Sequence, residues 1–303
     1  MDGILNVLKP VGMTSSDVVV WLRKLLVQKK IGHTGTLDPG AAGVLPIGIG
    51  KGTKLFDYIV NKKKVYIAEI TLGCKTDSQD SFGVITNAYT KIVSLDEVNN
   101  TFQSFIGNIK QKPPMYSAIK YKGKKLYELA RQGLTIDLPD RDAFIYDLSL
   151  LAQTEYNRYL IKVTCSKGTY IRTLCNDIGD SLGCGAYMSF LLRTKTGCFS
   201  IDQALTIEEI TLLHKQGNLN PHIKPLDFPL KNMPFICVKK DYLRNIENGN
   251  HIDLSWIENA ENINIENASN IKFRIYCNDR FCGIGSRKNA FSSWVMAIDT
   301  LLI

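Results

Sequence analysis

Two side chains able to do acid–base or nucleophilic chemistry, His33 and Asp38, stand inside Gly32-His33-Thr34-Gly35-Thr36-Leu37-Asp38-Pro39-Gly40-Ala41-Ala42-Gly43-Val44-Leu45-Pro46. Four glycines and two prolines in these fifteen residues argue against a regular helix or a central strand. Glycine opens backbone conformations closed to other residues, and proline removes a donor and fixes φ. The stretch reads as a shaped loop. Asp-Pro-Gly alone is a common turn, so Asp38 gains weight only from its company. Tyr170 and Arg172, in Lys167-Gly168-Thr169-Tyr170-Ile171-Arg172, stand at the mouth of a predicted helix. Unpaired N–H groups and an arginine there favour an anionic partner. An arginine beside a buried aspartate would keep it ionised, which would join Arg172 and Asp38 into one site. Tyr66, read alone, is a strand aromatic.

The elements that must position these groups follow from periodicity and caps. Ile4–Leu8 reads as a strand, and Ser15 or Ser16 as the N-cap of a helix running to about Leu26, with Val18, Val19, Leu22, Leu25 and Leu26 on one face. Lys64–Gly73 alternates as a strand, Cys74–Gly83 is a polar loop, and Ser94 with Glu97 opens a helix to about Ile106. Lys112–Ser117 is irregular because of its paired prolines, and Lys124–Arg131 is a short helix. Ala143–Ala152 and Arg158–Cys165 form paired strands, and a helix from Tyr170 ends at Gly183. Thr206 and Glu209 cap a further helix. The prolines between 221 and 234 mark a linker-like passage, and Phe235–Lys239, Lys272–Cys277 and Phe281–Ile284 are short strands. The Asn-rich stretch 259–270 reads as loop.

Composition narrows the partners. The net charge of +8 is concentrated: residues 1–230 hold 28 Lys+Arg against 21 Asp+Glu, residues 231–303 hold 9 against 8. Basic clusters at Arg23-Lys24 with Lys29-Lys30, at Lys62-Lys63-Lys64 and over Lys120–Lys125 fit a polyanion or an ordinary solvated surface. Eight scattered cysteines without a C-x-x-C pair, and four dispersed histidines, give no metal site. Gly48-Ile49-Gly50-Lys51-Gly52-Thr53 fails the phosphate-loop template, with Leu45 in the first glycine position and Gly52 after the lysine, and the dinucleotide pattern is absent. Neither ATP nor NAD is expected. Apolar runs such as Val18–Leu22 are too short for a bilayer, and Met1–Leu5 resembles no signal peptide. The expectation is a cytoplasmic protein, monomeric for want of coiled-coil heptads.

Gly32–Pro46, Tyr66 after Lys64-Val65, Met115-Tyr116-Ser117-Ala118-Ile119-Lys120 and Cys165–Arg172 together resemble the bacterial TruB family, the tRNA pseudouridine synthases acting on uridine 55 in the TΨC loop. Lys9–Ser15 and Leu182–Ala186 also fit, so the resemblance runs from residue 4 to about 200. It implies that Asp38 is the essential carboxylate, that Arg172 pairs with it, and that Tyr170 approaches the target ring and removes the C5 proton. It implies further that Tyr66 stacks on the flipped uracil, that Leu191 closes the pocket opposite, and that His33 contacts the rearranged RNA loop. Two departures stand out: Ala42 where the family has Thr or Ser, and Leu191-Leu192-Arg193-Thr194 where it commonly reads Leu-Arg-Arg-Thr. The missing first arginine bears on one phosphate or packing contact, not on the chemistry, and leaves the choice of pocket leucine between Leu191 and Leu192, the match favouring Leu191.

The implied fold is α/β (α+β): a pseudouridine-synthase-like mixed, largely antiparallel sheet flanked by helices, over residues 1–230. A small β-rich PUA-like RNA-binding domain over residues 231–303 follows, carried by Phe273–Cys277 and Phe281–Gly285. The partner is tRNA, at its T-arm, with no metal, no cofactor and no membrane. A non-catalytic tRNA-binding or folding protein is the competing reading, and a small-molecule nucleotide enzyme a weaker third.

Overall fold

The computed structural model describes residues 1–258, 271–290 and 293–303, so the loop expected at 259–270 lies outside the described residues. The strands are β1 (Gly3–Lys9), β2 (Ile31–His33), β3 (Ala42–Ile49), β4 (Lys64–Leu72), β5 (Cys74–Thr76), β6 (Ile85–Ala88), β7 (Gly107–Gln111), β8 (Lys120–Tyr121), β9 (Lys124–Lys125), β10 (Arg141–Glu155), β11 (Arg158–Cys165), β12 (Ala186–Thr196) and β13 (Phe199–Ser200). They are followed by β14 (Phe235–Val238), β15 (Lys272–Cys277), β16 (Arg280–Ala290) and β17 (Ser293–Leu301). The helices are α1 (Ser15–Leu25), α2 (Phe56–Val60), α3 (Leu95–Ser104), α4 (Leu126–Ala130), α5 (Ile171–Leu182), α6 (Ile207–Lys215) and α7 (Leu243–Glu247).

One large sheet runs β1-β3-β12-β4-β11-β10-β7, with β2 on β3 and β13 on β12. Every pairing in it is antiparallel except β3 with β12. Helices α1 and α6 cover the β1/β3 end, burying Val18, Val19, Leu22 and Ile210 against Leu5, Val7, Leu45 and Ile47. Helices α3 and α5 cover the middle, where Phe102, Leu174 and Ile178 meet Ile70, Ile145 and Ile161.

Three local readings change. Thr14, not Ser15 or Ser16, caps α1, because Asp17 stands three residues on and completes the reciprocal box: Asp17 N–H donates to Thr14 Oγ1 at 3.0 Å and Thr14 N–H to Asp17 Oδ2 at 2.8 Å. The Ser15 hydroxyl is thereby free to reach Leu37 instead. Residues 42–49 are a strand despite Gly43, Pro46 and Gly48. Pro46 is tolerated because the pairing with β2 stops there: Thr34 N–H donates to Pro46 O at 3.1 Å, and no return donor exists to continue the ladder. Of the stretch expected as loop, Cys74–Thr76 instead pairs as β5 with β6, and residues 77–84 connect the two strands.

The proline-rich passage is also not free. Ile4 and Lys224 exchange both backbone hydrogen bonds, at 2.9 and 2.8 Å, which seats it along β1. Beyond it, β14-β15-β16-β17 form a second sheet, turned at Asn278-Asp279 by two residues at positive φ, 51° and 58°. Ile284 and Leu302 of this part of the chain share an apolar cluster with Ile4, Val44, Leu55, Ile59, Phe199 and Leu230, so it packs against β1 and β3.

Candidate active site

The loop Thr34–Ala41 is held from three sides. Ser15, freed from capping, accepts from Leu37 N–H at 2.8 Å and donates to Leu37 O at 3.1 Å. Arg193, on β12 and 1% exposed, donates from Nε to Val44 O (2.8 Å), Nη1 to Thr36 O (3.4 Å) and Nη2 to Gly35 O (3.2 Å). Gly12 N–H donates to Pro39 O at 2.8 Å. Gly43 has φ of 122°, and any Cβ there would strike the Arg193 backbone, so only glycine lets β3 approach β12 this closely. The loop's shape therefore comes from donors aimed at its carbonyls, and its one carboxylate is presented at a fixed place.

That carboxylate meets α5. Arg172 Nη2 lies 3.3 Å from Asp38 Oδ2, and Nη1 lies 3.6 Å from Asp80 Oδ2. Nη2 also donates to Tyr116 O at 2.6 Å. The burial is graded: the Arg172 side chain is 5% exposed, Asp80 14% and Asp38 39%. Arg172 is thus a buried cation between two carboxylates, with Asp38 the one that a reactant can reach. Among the described residues no acceptor faces Arg172 Nε. Tyr170 is half-buried at the head of α5, its ring centre 6.0 Å from the Arg172 guanidinium carbon. Its backbone N–H is not open to a ligand, because Gln111 Oε1 accepts from it at 3.0 Å and Gln111 Nε2 returns a bond to Tyr170 O at 3.1 Å.

Tyr66 and Leu191, on neighbouring strands, belong to one apolar cluster with Leu37 and Ala41, which flank Asp38. Leu192 is outside this cluster and only half-buried. Burial pushes the Tyr66 phenol up to about 12, against the opposing influence of Arg193, so it stays neutral and offers an aromatic face. His33 is not part of this constellation. It lines an open depression of about 340 Å³ with Ser16, Val19, Val20, Arg23, Gly32 and Phe56, and burial lowers its imidazole pKa.

Sequence reasoning misses Asp80, Arg193 and Lys9 as residues of the site. Asp80 falls in a stretch that reads as loop. Arg193 follows a register shift between Met188 and Phe190, which resets which side chains point inward and hides its parity. Lys64, which reads as part of a basic cluster, is buried, its ammonium on Val60 O at 3.1 Å. The two departures from the family pattern, Ala42 and Leu192, are Cα partners on β3 and β12.

Lys9 is fully buried, donating to Pro10 O (2.8 Å) and Met13 O (2.6 Å). Burial pushes its ammonium down to about 8, with Asp38 opposing and Arg193 adding to the fall. The unfolded chain keeps this proton to a pH of about 10.4, so between pH 8 and 10 the folded state binds fewer protons and stability rises with pH. Against a Lys9→Met variant, wild-type stability should therefore gain ~1–3 kcal/mol between pH 8 and pH 10. Paired melting curves measure this, and a difference flat with pH would show that Lys9 stays charged.

Residues 23–171 match the model of the TruB family pseudouridylate synthase N-terminal domain, and residues 172–231 that of the tRNA pseudouridylate synthase B C-terminal domain. A protein named tRNA pseudouridine synthase B from Alkaliphilus oremlandii is 48% identical over 95% of this chain and 94% of its own. Its namesake from Clostridioides difficile is 41% identical over 94% of each. The fold is shared with a solved Cbf5-Nop10-Gar1 complex, at 25% identity and a TM-score of 0.74, covering 99% of this chain and 84% of that one. An H/ACA RNP bound to a substrate RNA containing 2′-deoxyuridine matches at 22% identity and the same TM-score, over 99% and 85%. The loop, the strand aromatic and the helix-borne arginine thus belong to a chain that is a member of the TruB family of pseudouridylate synthases.

Proposed function

We propose that this protein isomerises uridine 55 in the T-arm of tRNA to pseudouridine, acting as a cytoplasmic monomer without metal or cofactor. The observation that carries the reading is the half-open Asp38 carboxylate held on the buried Arg172, beside the Tyr66–Leu191 apolar wall. The reaction breaks N1–C1′, turns the uracil, joins C5 to C1′ and moves the C5 proton to solvent while N1 gains one. No atom or electron is exchanged with a co-substrate, so the side chains present suffice. The target is stacked inside an RNA loop and must be extruded. Tyr66 then replaces part of the lost stacking and Leu191 supports the base opposite. Asp38 starts the bond exchange, Arg172 pairs with it and fixes where it stands, and Tyr170 takes the C5 proton. His33 touches the rearranged loop from its own depression, and residues 231–303 serve as a PUA-like RNA-binding domain after a catalytic domain of residues 1–230.

The test is incubation with unmodified tRNA transcript, followed by mapping of pseudouridine by position. Product at position 55 is the expected result. Binding without product would instead favour a tRNA-folding role, and product elsewhere would reassign the target.

A further inference from the structure

Phe82 stands at the lip of this site and takes no part in the bond exchange. It is 75% exposed, yet its ring rests against Gly40, two residues after Asp38, so closely that any Cβ at position 40 would collide with it. The turn presenting it is firmly built. Asp80 Oδ1 accepts from Ser78 Oγ at 2.6 Å and from Phe82 N–H at 3.0 Å, while Asp80 Oδ2 faces Arg172. Thr76 Oγ1 donates to Asp80 O at 2.8 Å, and Ser81 N–H donates to Met188 O at 3.0 Å. One carboxylate therefore holds both the Arg172 guanidinium and the backbone of the turn that carries Phe82.

A single exposed phenylalanine is ordinary. This one differs in being pinned on one side to the Asp38 loop and open to solvent elsewhere, with Val84 exposed two residues on. Extruding a uridine leaves its neighbours in the RNA loop without a stacking partner, and a fixed aromatic ring fits an unpaired base of any sequence. We propose that Phe82 stacks on an unpaired base flanking the target uridine and so holds the RNA loop in the conformation that presents its target to Asp38. The proposal rests on the RNA-isomerase reading of the same site.

The test compares wild type, Phe82→Ala and Phe82→Trp on an unmodified tRNA transcript and on two transcripts made abasic at one or the other nucleotide beside the target. On intact RNA, Phe82→Ala should raise KM by ~10- to 100-fold with little change in kcat, and Phe82→Trp should restore it. On one of the abasic transcripts, wild type and Phe82→Ala should become equal, which a purely structural role at Gly40 would not produce. An unchanged KM for Phe82→Ala, or a deficit that persists on both abasic transcripts, overturns the stacking role while leaving the isomerase reading intact. Absence of product from the wild type on intact RNA overturns both.

Discussion

Asp38→Asn is expected to abolish pseudouridine formation while leaving tRNA affinity nearly unchanged. The amide keeps the shape of the carboxylate and loses its charge and its ability to attack or to take a proton. As a general base Asp38 would account for ~10²–10⁴ in rate, and as a nucleophile for more, so a loss of at least ~100-fold follows under either role. The pocket should survive. Arg172 keeps Asp80 and the Tyr116 carbonyl as partners, and Ser15 and Arg193 hold the loop through its backbone. Asp38 is 39% exposed, so its ion pair is partly screened and contributes little to folding. Affinity for tRNA rests on many phosphate contacts and loses none of them. Release of tritium from C5-labelled uridine, with filter binding in parallel, reads both quantities. Substantial release by the Asn variant would sink the assignment of Asp38.

Much of this site is legible in the residues alone. The caps at Ser94 and Thr206 announce their helices in four residues, and α3 and α6 begin where those boxes place them. Charge allows Arg172 to join Asp38, and the family resemblance selects that pair, which the fold brings to 3.3 Å. What the sequence does not carry is which of several polar residues each tertiary contact will use. Ser15 reads as a cap, and nothing in its neighbours says that its hydroxyl will instead serve Leu37, 22 residues away. Asp80 reads as turn chemistry, which it also performs, and only the packing of the β5/β6 hairpin beside α5 gives its second oxygen a cation. Arg193 is an arginine in an apolar strand whose inward parity depends on a bulge. Within residues 42–49, Leu45–Ile49 reads as a buried apolar segment and 42–44 as loop, because glycine and proline lower strand propensity, and neighbours on both edges override this.

Arg172→Lys is expected to be nearly as damaging as Asp38→Asn, although the charge is conserved. The guanidinium works in three directions at once, towards Asp38 at 3.3 Å, Asp80 at 3.6 Å and the Tyr116 carbonyl at 2.6 Å. An ammonium is a single, strongly hydrated point charge on a shorter reach, and cannot bridge two carboxylates with fixed geometry. Misplacing a reacting group by about 1 Å costs ~100-fold in rate, so kcat should fall by ~10²–10³ while KM for tRNA stays within error. Arg172→Met tests the electrostatics instead. It leaves Asp38 and Asp80 without the cation they share. Removing one partner of a fully buried pair costs ~3–5 kcal/mol, and the solvent reaching Asp38 reduces this to ~1–3 kcal/mol. Melting temperature should drop by several degrees for the Met variant and hardly at all for the Lys variant. If Arg172→Lys supported near-normal turnover, bridging would be dispensable and the site would reduce to a simple charge pair; equal losses of stability in both variants would mean that Arg172 acts chiefly in folding.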